Sequence, residues 1–202
     1  MVGNERNGLD LRLVPKTVAR VTSAVRRAGP HGTVLAQMLG KPLLLVDIDG
    51  VISLWGWDAD MRPGGTWTLV DGIAHFLSTE AAQHLLDLRS DFDLVWCSGW
   101  EEKADETLPR AIGLGPFPHL SFDRPVGGRT APRAHWKLDA IDAHAGPERP
   151  LAWVDDAFNP ACHAWAAERS APTLLVATEP ATGLVAEHAG RLRAWARALA
   201  PG

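Results

Sequence analysis

Tyrosine is absent from the 202 residues, so nine tryptophans and five phenylalanines carry the aromatic load. There are only two cysteines, Cys97 and Cys162. That excludes a disulfide framework and a cysteine-based zinc cluster. None of the eight histidines pairs as His-x-x-x-His, which argues against a helical zinc site. No apolar run reaches the length of a spanning helix. The reading is therefore a cytoplasmic protein with no membrane partner. Net positive charge is also lacking: 20 Lys+Arg stand against 24 Asp+Glu, for −4 overall. That argues against a generic nucleic-acid binder held by a strong overall positive field. What is present is ordinary globular composition, 46% hydrophobic and 22% charged. A chain of this length buries about 70% of its unfolded surface and needs no staples.

The charge is unevenly spread. Residues 1–41 carry seven basic side chains and two acids, a net of +5, which leaves −9 for the rest. Val14, Val18, Val21 and Val25 recur at helical spacing, enough for one short amphipathic helix. The expected organisation is a basic N-terminal extension over residues 1–40 and one folded domain over 41–202.

From residue 43 the pattern becomes regular. Leu43 to Ile48 is a continuous apolar run, the mark of a strand buried on both faces. Trp67 to Val70, the Asp71-Gly72 turn pair and Ile73 to Leu77 read as a β-hairpin. Ser78 and Thr79 offer caps for a helix running to about Arg89. Leu94 to Cys97 is a second buried strand, and a helix with an acidic start follows from Glu101. Residues 108–133, rich in Pro, Gly and Arg, form a long loop with a short strand near Leu120 to Phe122. Ala134 to Ala145 reads as a helix and Leu151 to Val154 as a third buried strand. Asn159-Pro160 starts a helix to about Arg169. A strand from Thr173 to Ala177 and a helix from Gly183 to Ala200 close the chain. This alternation implies an α/β fold: a Rossmann-like, doubly wound, mainly parallel sheet with helices on both faces. In such sheets, ligands bind beyond the carboxyl ends of the strands.

Those ends are polar. The first is Asp47-Ile48-Asp49-Gly50-Val51, the second Cys97-Ser98-Gly99-Trp100, the third Asp155-Asp156. Converging acids repel one another, and burying them unpaired is costly. A hard divalent cation resolves the conflict, and Mg²⁺ takes one or two carboxylates plus water and phosphate oxygens. Lys137, on the helix leading into the third strand, is placed to reach the same crevice. An Asp-x-Asp-Gly match alone occurs about 0.1 times by chance in such a chain. The ordered set, each member in its structural context, is far more specific.

That set resembles the haloacid dehalogenase-like (HAD) hydrolase superfamily, whose members are mostly phosphatases. The resemblance runs from about Leu43 to Thr178. Asp47-Ile48-Asp49-Gly50-Val51 matches the first motif, Ser98 the second, Lys137 the third and Asp155-Asp156 the fourth. The segments Val95 to Glu101 and Ala152 to Asp156 resemble a small, largely capless branch associated with RNA-repair proteins. That branch usually has Thr where this chain has Ser98, and the hydroxyl is retained.

The resemblance implies a mechanism that these residue types can carry. Asp47 would be the nucleophile, forming an aspartyl-phosphate. Asp49 would protonate the leaving oxygen and then activate water. Mg²⁺ would be bound by the Asp47 carboxylate, the Asp49 backbone carbonyl and Asp155, with Asp156 a ligand or just behind one. Ser98, with the N–H groups of Gly99 and Trp100, would hold phosphate oxygens at a helix N-terminus. Lys137 would neutralise the nucleophile and the transferring group. Gly50 would let the chain bend so that Asp49 swings over the nucleophile.

Around this centre the readings stay open. Trp57, with Trp55 and Trp100, would either stack on a planar leaving group or pack the flap. Asp58, Asp60 and Arg62, and the loop residues Arg110, Arg124, Arg129 and Arg133, read as solvated unless they touch substrate. Trp96 and Trp153 read as core, and Cys97 as an inert buried thiol. The gaps after the first and second strands fit a flap and a loop but no cap domain. An open site suits a nucleotide, a polynucleotide end or another bulky phosphoester. Three functions follow: a Mg²⁺-dependent phosphomonoesterase, a nucleic-acid end phosphatase in repair, or a non-catalytic Mg²⁺- and phosphate-binding module.

Overall fold

The computed structural model describes residues 40–122 and 135–199. The basic extension except Gly40, and Arg124, Arg129 and Arg133, lie outside the described residues. The apolar run after Pro42 becomes β1 (Leu43–Val46), buried along its whole length. Its neighbours are β5 (Asp93–Trp96) and β6 (Leu151–Asp155), and β7 (Thr173–Ala177) lies beyond β6. All three pairings are parallel, giving the order β5-β1-β6-β7. Side chains alternate faces along a strand, and the core divides accordingly. Leu44 and Val46 pack with Leu85, Leu108 and Leu192 from α1 (Thr79–Leu88), α2 (Lys103–Ile112) and α5 (Ala186–Leu199). Leu43 and Leu45 pack with Ile141 and Cys162 from α3 (Leu138–Ala145) and α4 (Pro160–Glu168). The expected doubly wound α/β architecture is thus present.

A second, antiparallel sheet follows the first strand, in the order β2-β4-β3. The expected hairpin is β3 (Gly65–Val70) and β4 (Ile73–Ser78). β2 (Ser53–Leu54) pairs with β4 opposite Leu77 and Phe76. Two residues carry no readable period, so β2 has no sequence signature. No folded cap domain occurs among the described residues.

Several boundaries differ from expectation. Ser78 caps α1 as foreseen, its Oγ accepting from Ala81 N at 3.1 Å. Asn159 caps α4 in the same way, with Pro160 first in the helix. The helix expected from Ala134 starts instead at Leu138, after a turn in which Leu138 N donates to the His135 carbonyl. The helix expected from Gly183 starts at Ala186. Gly183 adopts φ +65°, and a Cβ there would lie 2.4 Å from the Val51 carbonyl oxygen. It serves as a close backbone contact with the loop after β1 rather than as a helix residue. The strand expected at Leu120 to Phe122 reduces to one bridge between Trp96 and His119.

Candidate active site

The carboxyl ends of β1, β5 and β6 meet in one crevice, and the parallel register sets the meeting. Val46 stands level with Trp96 on one side and Val154 on the other. One residue further along, Asp47, Cys97 and Asp155 therefore lie side by side. Asp47 N donates to the Val154 carbonyl at 3.0 Å, and Cys97 N to the Val46 carbonyl at 2.8 Å.

Lys137 is the electrostatic centre. Its Nζ lies 2.8 Å from Asp47 Oδ2 and 2.7 Å from Asp155 Oδ2, and only 2% of the residue is exposed. A buried ammonium opposes its own charge, but Asp47 and Asp155 outweigh that cost and raise its pKa above the ordinary lysine value. It is therefore a permanent cation. Asp155 is fully buried and clamped: Trp153 Nε1 donates to Oδ2 at 3.0 Å and Ala157 N to Oδ1 at 2.9 Å. Asp47 Oδ1 accepts from Ile48 N at 2.8 Å.

One lysine does not satisfy three acids. Burial, with the charge of Asp155 adding to it, pushes Asp47 up to about 6 against the pull of Lys137. Burial and Asp155 also raise Asp156. Carboxylate oxygens of Asp47, Asp155 and Asp156 lie within 4.8 Å of one another. Oxygen donors with excess negative charge fit a hard divalent cation. The approach of Asp156 depends on Gly50: its φ is +69°, and a Cβ there would sit 2.4 Å from the Asp156 carboxyl group. Thr178 Oγ1 pins the Gly50 carbonyl at 2.9 Å.

The Asp49 side chain stands outside that acidic cluster. Its Oδ2 accepts from Trp100 Nε1 at 3.1 Å, and its Oδ1 faces His75 Nδ1 at 3.6 Å. The Ser98 hydroxyl is buried and has no partner in hydrogen-bonding geometry. It still lies close enough to Asp47 to help hold that carboxyl's pKa down. Ser98 is not a helix cap, because the N-cap of α2 is Glu102. The intervening residues turn, with Glu101 N donating to the Ser98 carbonyl and Lys103 N to that of Trp100. Gly99 lies in this turn, so its N–H and that of Trp100 belong to a turn and not to a helix end.

The tryptophans sort between flap, core and site. Trp100 is 7% exposed and is tied to Asp49 instead of standing at the mouth. Trp57 packs on Phe76, with ring centroids 4.7 Å apart, and more loosely on Trp67. Those are flap contacts. Trp153 is core, as expected, but it also orients Asp155. Cys97 is buried, and burial pushes its thiol above the ordinary value.

His75 was not among the sequence candidates. It sits on β4, and its Nδ1 lies 2.9 Å from Ser53 Oγ. Its one signal is a histidine placed between Ala74 and Phe76 in an otherwise apolar strand.

The family model described as the HAD domain in Swiss Army Knife RNA repair proteins matches residues 43–189. No curated protein matches the chain. The matched span contains both sheets and every residue of the crevice, and membership supports a HAD-type, phosphatase-like function. The chain therefore belongs to the family of HAD domains found in Swiss Army Knife RNA repair proteins.

Proposed function

We propose that this protein is a Mg²⁺-dependent phosphomonoesterase acting through an aspartyl-phosphate on Asp47. The single observation that carries the reading is the buried Asp47–Lys137–Asp155 centre, with Asp156 beside it. Asp47, Asp155 and Asp156, with the Asp49 backbone carbonyl, would hold Mg²⁺. When bound, the ion supplies positive charge against the phosphate oxygens and keeps Asp47 ionised.

The remaining steps belong to the chain's own residues. Asp47 attacks phosphorus through a carboxylate oxygen as the bond to the leaving oxygen breaks. Asp49 delivers its proton to that oxygen, so the product departs as a neutral hydroxyl compound. Asp49, now a carboxylate, takes a proton from water, whose oxygen attacks the same phosphorus. The bond to Asp47 breaks, releasing phosphate and restoring the carboxylate. Lys137 keeps its charge throughout and offsets the negative charge that gathers on the transferring group. The unpartnered Ser98 hydroxyl is available to donate to a phosphate oxygen.

The test is a panel of phosphorylated substrates assayed with and without Mg²⁺. Wild type should hydrolyse a generic aryl phosphate only with Mg²⁺, and Asp47→Asn should be inactive. Unchanged turnover in Asp47→Asn would sink the mechanism. No steady-state turnover of any substrate would favour a non-catalytic phosphate-binding module.

The family's link to RNA repair proteins favours a second, narrower reading, in which the substrate is a nucleic-acid end. The absence of a cap domain among the described residues is compatible with so large a substrate. A phosphorylated oligonucleotide end should then be hydrolysed faster than a free nucleotide. Deleting residues 1–37 should weaken that preference. Equal rates on both substrates would count against it.

A further inference from the structure

We propose that Trp100 is a positioning residue for Asp49, held in turn by the flap sheet through His75 and Ser53. The inference rests on the reading of Asp49 as the proton donor to the leaving oxygen. The Asp49 side chain is 46% exposed and sits on the turn after β1. A carboxylate so placed samples several rotamers unless something holds it.

Trp100 supplies that hold. Its indole N–H donates to Oδ2 at 3.1 Å, and the ring is too buried to swing away. The Trp100 and His75 rings meet edge to face, with centroids 4.7 Å apart and planes at 71°. His75 Nδ1 is fixed 2.9 Å from Ser53 Oγ, and Ser53 is 2% exposed on β2. The same Nδ1 faces Asp49 Oδ1 at 3.6 Å, which is contact rather than a hydrogen bond.

The chemistry of the indole adds a direction. It donates and never accepts, so Oδ2 stays an acceptor. Oδ1 is left free of the indole. Group transfer is unchanged by this: the proton of Asp49 moves to the leaving oxygen as its bond to phosphorus breaks and the bond from Asp47 forms. What Trp100 sets is where that proton is when the bond breaks, and misplacement by an ångström costs on the order of 10²-fold in such steps.

Leaving-group dependence reads this out. A nitrophenolate leaves without much help, whereas an alkoxide needs the proton. In Trp100→Phe, kcat/KM should fall for both esters, but about tenfold or more further for glycerol phosphate than for 4-nitrophenyl phosphate. His75→Phe keeps a ring against Trp100 but loses the Ser53 contact, and should show the same skew to a smaller degree. Thermal unfolding of each variant controls for damage to the fold. If Trp100→Phe does not fold, His75→Phe decides alone. Equal losses on the two esters, or no loss, would overturn the proposal. Wild type that hydrolyses neither these esters nor a phosphorylated oligonucleotide end would remove the phosphatase reading itself, and the inference with it.

Discussion

Replacing Lys137 with methionine removes the one cation that separates two buried carboxylates. Its Nζ is 2.8 Å from Asp47 and 2.7 Å from Asp155, and all three groups are nearly inaccessible. Breaking a buried pair from one side costs about 3–5 kcal/mol, because the partner charge is stranded. Here two charges are stranded, yet the cost is limited. Asp47 titrates at about 6 even beside the lysine, and without it the pKa rises further, so the carboxyl takes a proton. Metal-free Lys137→Met should therefore be about 3–5 kcal/mol less stable than wild type at pH 7.5.

The sign with pH follows from the same shift. Asp47 is raised above its ordinary value, so its contribution to wild-type stability is full below about pH 4 and is lost as pH rises through 6. In the variant the loss starts from the same pH but continues to a higher one. Between pH 6 and 7.5 the variant's native state binds more protons than the wild type's, and its deficit narrows as pH falls. The slope is about 1.4 kcal/mol per unit, so about 2 kcal/mol should be recovered by pH 5. Urea unfolding of both proteins in EDTA at pH 5.0 and 7.5 measures this. A deficit that is constant with pH, or larger at pH 5, would refute the coupling of Asp47 to Lys137.

Other outcomes follow from single contacts. Gly50→Ala places a Cβ 2.4 Å from the Asp156 carboxyl at a positive φ. It should abolish the Mg²⁺-induced rise in Tm and cost at least about 1 kcal/mol in metal-free stability, seen by thermal unfolding with and without Mg²⁺. Ser98→Ala removes a buried hydroxyl that lies close to Asp47 without a partner in hydrogen-bonding geometry. Its stability should not fall by more than about 1 kcal/mol while kcat/KM drops about tenfold, by urea unfolding and steady-state kinetics. Trp153→Phe deletes the indole donor to Asp155. It should weaken Mg²⁺ affinity about tenfold by calorimetry, since groups that orient metal ligands commonly matter at that scale.

Much of this was legible because buried parallel strands advertise themselves. Leu43 to Val46 is apolar without alternation, and the acids that end it have no structural reason to follow such a run. Lys137 was placed near the crevice by the helix read as leading into the third strand, but its pairing with both acids depends on the turn at His135 to Lys137. No local pattern encodes that turn. The anchoring tryptophans were hidden for a different reason. Trp153 on a buried strand read as packing, Trp100 read as stacking on substrate or packing the flap, and an indole N–H has no periodicity, so the bonds from Trp100 to Asp49 and from Trp153 to Asp155 emerge only in three dimensions. His75 reaches Asp49 because two residues of β2 fold the flap back on the crevice. That contact spans the two sheets and leaves no trace along the chain.

In the proposed reaction, phosphate passes covalently through the carboxylate of Asp47. Mixing wild type with a phosphoester and Mg²⁺, quenching during turnover and reducing with borohydride converts an acyl-phosphate to an alcohol. Peptide mass spectrometry should then find homoserine at position 47, dependent on both substrate and Mg²⁺. Steady turnover with Asp47 unmodified, or modification at another carboxylate, would contradict the account.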